Sequence, residues 1–239
     1  MKNLFGLTVV ILLLSGAYFF TNYTVKIDKM ESNFCSDCNS LNSWDYYESM
    51  GTSIYNTEYT KCTKDFNCSS SFVPNIIAEL RFNYNIDTPK DYIDAVVDYT
   101  VNHFEYIRHY SCPRDLIEMF NSNSGNCVDA SVFAVTMLRA RGIPARQVVG
   151  CVSHEGWQCE TFATNFPLLY EKLGYIEENE PLGHSWIEIW TPEKGWLMSD
   201  PTVGDTISKY CVGYHRVMEC SLEVCCSIDN SMKEFCSEF

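Results

Sequence analysis

The chain is predicted to fold as an α+β domain, with a buried helix packed on an antiparallel sheet and disulfide-rich segments on either side. Helical spacing recurs over residues 88–141, and strict two-residue alternation appears later, over 184–200. The helices therefore precede the strands instead of alternating with them, which favours an antiparallel sheet over a parallel one. With 239 residues, 46% of them hydrophobic and 14% aromatic, the chain can bury a core of ordinary size.

The amino terminus, MKNLFGLTVVILLLSGAYFFTNYT, has one early cation, Lys2, followed by an uncharged, mostly apolar run from Leu4 to Phe20. That pattern predicts export. Ser15, Gly16 and Ala17 suit a signal peptidase, while about 17 apolar residues also nearly span a bilayer of roughly 30 Å. A cleaved signal peptide and a retained signal anchor over residues 1–20 both stay open, and so does membrane attachment through residues 4–20. Either route places the remainder outside the cytoplasm.

Residues 21–87 form a cysteine-containing extension. Its first part, to residue 75, is rich in Ser, Asn, Thr and Cys with little periodicity, so a loop-rich, disulfide-held stalk or lid is expected there. Thr88 then reads as an N-cap with Pro89 in the first turn, and Tyr92, Val96 and Phe104 follow at helical spacing. A second helix is expected from Cys127 to Arg141, apolar and small on nearly all sides, with Gly142 to end it. Such a helix belongs inside the fold.

The β-branched run from Arg146 to Val152 predicts a strand. A polar insertion over 154–183 follows, with a short helical stretch near Leu168–Leu173. In HSWIEIW, from His184 to Trp190, Ile187 and Ile189 face one way while His184, Trp186, Glu188 and Trp190 face the other. TPEKG makes a turn and WLMSDPT, from Trp196, returns as the partner strand. The core is thus expected over 88–202, and the tail over 203–239, with five cysteines, is expected to strap onto it.

Thirteen cysteines fit an oxidising compartment, and because the number is odd at least one lacks an intramolecular partner. Cys35 and Cys38 form the one C-x-x-C, which is too little for a zinc site, so no metal and no cofactor is expected. The net charge of −14 excludes a nucleic-acid partner, which would require clustered Lys and Arg.

Within SGNCVDASVF, Cys127 sits at the expected start of a helix. Unpaired backbone N–H groups and the positive end of the helix dipole favour a thiolate there. The same N–H groups could stabilise the oxyanion formed when that sulfur attacks a carbonyl, and Gly125 lets the backbone approach. A thiolate needs an acid to protonate the leaving group, commonly a histidine held by a carboxylate. With Trp190 opposite Trp196, His184 becomes the diagonal neighbour of Asp200 on one face, within reach of it. A slip of one residue would turn Asp200 away. Trp186 and Trp190, on the His184 face, are candidates for the substrate cleft together with Gly125.

Three blocks in order, SGNCVDAS, LRARGIPARQVVG and HSWIEIW with GWLMSDPT, resemble the core of the transglutaminase-like superfamily of papain-like cysteine enzymes. The resemblance covers about residues 88–202 and includes the preceding helical segment, Pro89 to Tyr110. It implies that Cys127 is the nucleophile, His184 the general base and acid, and Asp200 the residue that orients His184. It also makes Arg146 a candidate for a structural ion pair. No acidic cluster has calcium-loop spacing, so calcium dependence is not implied.

Read singly, these residues have plainer roles. Cys127 could be a half-cystine with Cys112 or Cys151 left free, His184 a polar strand-end residue, and Asp200 a turn residue before Pro201. Together they predict an exported cysteine enzyme acting on amide bonds through a thioester, a peptidase or amidase rather than a cross-linking transglutaminase. Its expected substrates are extracellular peptides, cell-wall amides or glycoprotein amides. The rivals are an inactive binding or scaffold module at the cell surface and a purely structural disulfide-rich protein.

Overall fold

The computed structural model describes residues 39–49, 56–107, 116–152, 182–208 and 214–219, all within the unit that spans Phe34–Phe239. A 3-10 turn, Asn39–Asn42, leads into the short helices α1, Trp44–Ser49, and α2, Asn56–Tyr59. Then come α3, Phe72–Asn83, α4, Pro89–His103, β1, Glu105–Tyr106, α5, Leu116–Ser122, and β2, Ser124–Gly125. The remaining elements are α6, Cys127–Ala140, and the strands β3, Ala145–Val152, β4, Leu182–Thr191, β5, Gly195–Asp200, β6, Asp205–Ser208, and β7, Tyr214–Glu219. This is the α+β arrangement that the periodicities predict.

The central helix, α6, packs against β3, β4 and α4. Phe133, Ala134, Val135, Met137 and Leu138 are fully buried, as are Ile187 and Ile189 on the sheet and Val96 and Val97 on α4. Tyr92 of α4 donates its hydroxyl to the Met137 carbonyl at 3.0 Å, so the two helices share a polar contact inside the core. At its end, α6 stops where expected, with Arg141 as C-cap and Gly142 at φ 75°, a conformation that glycine adopts without strain.

Thr88 caps α4 as predicted, in a capping box with Asp91. That helix ends at His103, however, and does not run on toward Tyr110. Phe104 turns extended, buries its ring against Phe120 and Phe133 at 5.4 and 5.2 Å, and starts β1, which pairs in parallel with β2. Two buried aromatic contacts outweigh one more turn of exposed helix. His103, for which the sequence suggests no partner, stacks on Tyr99 at 4.5 Å.

The main sheet has the order β6-β5-β4-β3-β7, with every neighbouring pair antiparallel. Trp190 faces Trp196 and Ile187 faces Ser199, which is the register that the hairpin arithmetic requires. Thr191 also pairs with Gly195, so only Pro192, Glu193 and Lys194 are left to make the turn. The tail does more than strap on: β6 and β7 add a strand to each side of the sheet, beyond the expected end of the core at residue 202.

The extension also differs from the loop-rich stalk expected up to residue 75. Leu41, Tyr47, Phe66, Val73, Ile76 and Leu80 all join the main core. Each of the first three is one apolar residue among polar neighbours, anchored by contacts far along the chain. Tyr47 donates to the Trp190 carbonyl at 3.3 Å, Trp44 Nε1 to the Asp87 carbonyl at 3.0 Å, and the Arg139 guanidinium lies 4.4 Å over the Phe66 ring. Cys62 and Cys68 close a disulfide in the loop that carries Phe66. Cys35, Cys38, Cys112, the insertion over 154–181 and the apolar segment over 4–20 lie outside the described residues. Among the described residues no helix is long and apolar enough to cross a membrane.

Candidate active site

Cys127 is the first residue of α6, and the turn around it is built by its two flanking residues. Asn126 adopts an extended N-cap conformation and accepts hydrogen bonds from the Val128 and Asp129 N–H groups at 2.9 and 3.0 Å. Asp129, 1% exposed, returns the bond by accepting from the Asn126 N–H at 3.0 Å. Val128 and Asp129 thus spend their N–H groups on the cap, and the Cys127 N–H is the first-turn donor that it leaves over. Gly125 has no room for a side chain: a Cβ there would lie 2.9 Å from the Asp129 Cβ and 3.2 Å from the Met119 Cε. The Cys127 thiol itself is free and partly exposed, in line with the unbridged reading of the sequence.

His184 and Asp200 meet across the β4–β5 hairpin. His184 Nε2 donates to Asp200 Oδ2 at 2.7 Å, and both side chains are fully buried. The other Asp200 oxygen, Oδ1, accepts from the Thr202 N–H at 2.9 Å. Burial opposes a charge on the ring, but the Asp200 carboxylate and its hydrogen bond outweigh it. With a smaller contribution from the nearby Cys127, they raise the ring from 6.5 to about 10. Burial also opposes a charged Asp200, yet the His184 ring and the Thr202 bonds hold the carboxyl below its ordinary value. With Nε2 engaged by Asp200, Nδ1 is the ring nitrogen left to meet the thiol. Of the three residues that the sequence singles out, His184 and Asp200 are joined by a hydrogen bond, and Cys127 lies near enough to His184 to act on its ring.

Trp186 is fully buried and stacks beside the His184 ring at 6.2 Å. Trp190 rests against the core and meets Trp196 edge-on at 5.5 Å. Of the three cleft candidates, Gly125 lines a small cavity beside the cap of α6, together with Thr100, Phe104, Asn126, Pro201 and Thr202. Arg146 stands opposite Glu188 in the β3–β4 ladder and pairs with it at 2.7 Å, both nearly sealed from solvent. The Trp196 ring covers that guanidinium at 3.8 Å.

Sequence reasoning missed two features of this neighbourhood. One is the Asn126–Asp129 capping pair, for which the spacing Asn-x-x-Asp before an apolar run was an available signal. The other is a buried polar thread through Ser131, Ser185 and Gln147, which no short motif marks.

Sequence comparison agrees with this geometry. The family model described as the transglutaminase-like superfamily matches residues 80–201. Over 135 residues the chain is 32% identical to YebA of Bacillus subtilis, described as an uncharacterized protein, a match that takes in 53% of this chain and 17% of that one. Over 84 residues it is 36% identical to a protein-glutamine gamma-glutamyltransferase of Pseudomonas aeruginosa, covering 35% of this chain and 11% of the relative. The chain thus spans less than a fifth of the length of either relative. Among solved structures, the periplasmic domain of TgpA from Pseudomonas aeruginosa aligns over 56% of this chain and 44% of its own, with 26% identity and a TM-score of 0.36. Because the family model takes in more than half of the chain, with the Cys127, His184 and Asp200 blocks all inside it, this protein belongs to the transglutaminase-like superfamily.

Proposed function

We propose that the protein is an extracytoplasmic cysteine hydrolase that cleaves amide bonds through a thioester on Cys127, with His184 as proton carrier and Asp200 as its orienting carboxylate. The observation that supports this best is the His184–Asp200 contact at 2.7 Å, on a ring whose charged form the free Cys127 nearby also favours. The Cys127 sulfur, ionised while His184 holds the proton, adds to the amide carbonyl carbon. The resulting oxyanion is within the province of the Cys127 N–H, the donor that the cap of α6 leaves over. His184 then gives its proton to the leaving nitrogen, the C–N bond breaks, and an amine departs from a thioester. Water adds to the thioester while His184 takes one of its protons. Collapse releases a carboxylic acid and restores the thiolate–imidazolium pair. Asp200 remains ionised throughout and holds the ring.

The substrates we assign are extracellular peptides, cell-wall amides or glycoprotein amides. Export is supported by the apolar run over 4–20, by thirteen cysteines and by the Cys62–Cys68 disulfide. Trapping on a panel of peptide and glycan-linked amides, read by intact mass, tests the reading. An acyl increment on the native chain and none on Cys127→Ala is the expected result, and no increment with any amide would favour an inactive module. Adding a lysine peptide in excess separates hydrolysis from transfer. Hydrolysis predicts free acid as the main product, whereas an amide of the added lysine would mean transamidation, the reaction named for the Pseudomonas relative.

A further inference from the structure

We propose that Gln147, Ser185 and Ser131 are positioning residues, a buried relay of hydrogen bonds that ties the Cys127 end of α6 to the strand carrying His184. The inference rests on the reading of Cys127 as nucleophile and His184 as its partner. Ser131 Oγ donates to the Cys127 carbonyl at 2.8 Å, Ser185 Oγ donates to Ser131 Oγ at 3.1 Å, and Gln147 Nε2 donates to Ser185 Oγ at 2.9 Å. Gln147 Nε2 also approaches the Val128 carbonyl at 3.4 Å. All three side chains are at most 1% exposed.

The direction of every bond is dictated by the two ends. The carbonyls of Cys127 and Val128 can only accept, so Ser131 must spend its proton on Cys127 and take one from Ser185. Ser185 must then accept from the Gln147 amide, whose NH2 side is turned this way by Val128. A relay with a single possible polarity cannot slip into an alternative pattern. Its members sit on three different elements. Ser131 lies one turn beyond Cys127 on α6, Ser185 is the residue after His184 on β4, and Gln147 is on β3, where it pairs with Ile187 of β4. The relay thus fastens the residue beside the imidazole to the backbone of the residue bearing the thiol. A small rotation of α6 on the sheet, which apolar contacts alone would tolerate, would break it.

Alkylation of the full, unreduced chain with iodoacetamide, followed by intact mass at pH 6.5 and pH 9, tests the relay. At pH 6.5 a thiol reacts quickly only if its imidazole partner is correctly placed, while at pH 9 an ordinary thiol ionises unaided. Ser131→Ala and Ser185→Ala should each slow alkylation at pH 6.5 by about fivefold to tenfold, up to about one pK unit of thiol–imidazole balance, and leave pH 9 nearly unchanged. A role confined to stability would lower the melting temperature without touching that ratio. Ser131→Thr keeps a hydroxyl that can reach the carbonyl four residues back, whereas Ser131→Val has the same shape without it. If the alanine variants fail to fold, this pair decides: Thr faster than Val at pH 6.5 supports the relay, and equal rates overturn it. Folded alanine variants that react at the native rate overturn the relay while leaving the nucleophile in place. A native chain with no fast thiol at pH 6.5 overturns both.

Discussion

Replacing Asp200 with asparagine preserves the shape of the hairpin and removes one charge from beneath His184. In the native protein that carboxylate, through its charge and its 2.7 Å hydrogen bond, raises the ring to about 10 against the opposing effect of burial. Without it burial remains, and the ring should fall to its ordinary 6.5 or lower. A drop of that size, about 3.5 pK units, shifts the balance from thiolate–imidazolium toward thiol–imidazole by about three-thousandfold, at a factor of ten per pK unit. Only the part of that shift that changes the reactive fraction of the thiol can appear in a rate. The expectation for Asp200→Asn is a loss of at least about tenfold in the iodoacetamide rate of Cys127 at pH 6 to 7. The gap should close above pH 9, where a thiol ionises without help. The assay needs no substrate, only intact mass against time across a pH series, with circular dichroism to show that the variant is folded. A folded Asp200→Asn protein with the native pH–rate curve would refute the view that Asp200 sets the charge of His184.

The same pair should appear in stability. A ring raised on folding contributes fully below pH 6.5 and loses that contribution as pH climbs to about 10, so melting temperature should decline over that window in the native chain and be flat in His184→Gln. Glu188→Ala strands a buried guanidinium that now has its partner at 2.7 Å, and urea titration should show a loss of about 3–5 kcal/mol. The double variant Arg146→Met/Glu188→Leu should recover much of that loss, since apolar replacements of both partners leave no uncompensated charge. Asn126→Ala removes the acceptor for two N–H groups of α6 and should cost about 1–2 kcal/mol by the same titration. Gly125→Ala forces a Cβ to within 2.9 Å of Asp129, and displacement of that capping carboxylate should slow Cys127 alkylation while lowering the melting temperature.

The parts of the fold that could be read from the chain are those where local chemistry and tertiary role coincide. Thr88 and Pro89 start α4 by capping alone, Gly142 ends α6 because of its φ, and the turn at Thr191–Gly195 sets the pairing that brings Asp200 to His184. The Arg146–Glu188 pair is likewise legible once β3 and β4 are aligned, since the two stand directly opposite. Elsewhere the deciding contacts are distant. Leu41, Tyr47 and Phe66 look like isolated apolar residues in a polar loop because their partners lie far along the chain. Ser131 and Ser185 pass for small residues in a packed helix and strand, and only their convergence, 54 positions apart, makes them a polar relay. The tail strands β6 and β7 have no clean alternation, because each is defined by the edge it meets.

The sheet order β6-β5-β4-β3-β7 has a consequence for how the protein comes into being. Both outer strands are drawn from residues 205–219, so a chain emerging amino terminus first displays two unsatisfied backbone margins, one on β3 and one on β5, until those residues arrive. During that interval it is open to pairing with other chains, and a molecule cut short after Thr202 would stay so permanently. Completion of the sheet therefore waits on residues 205–219.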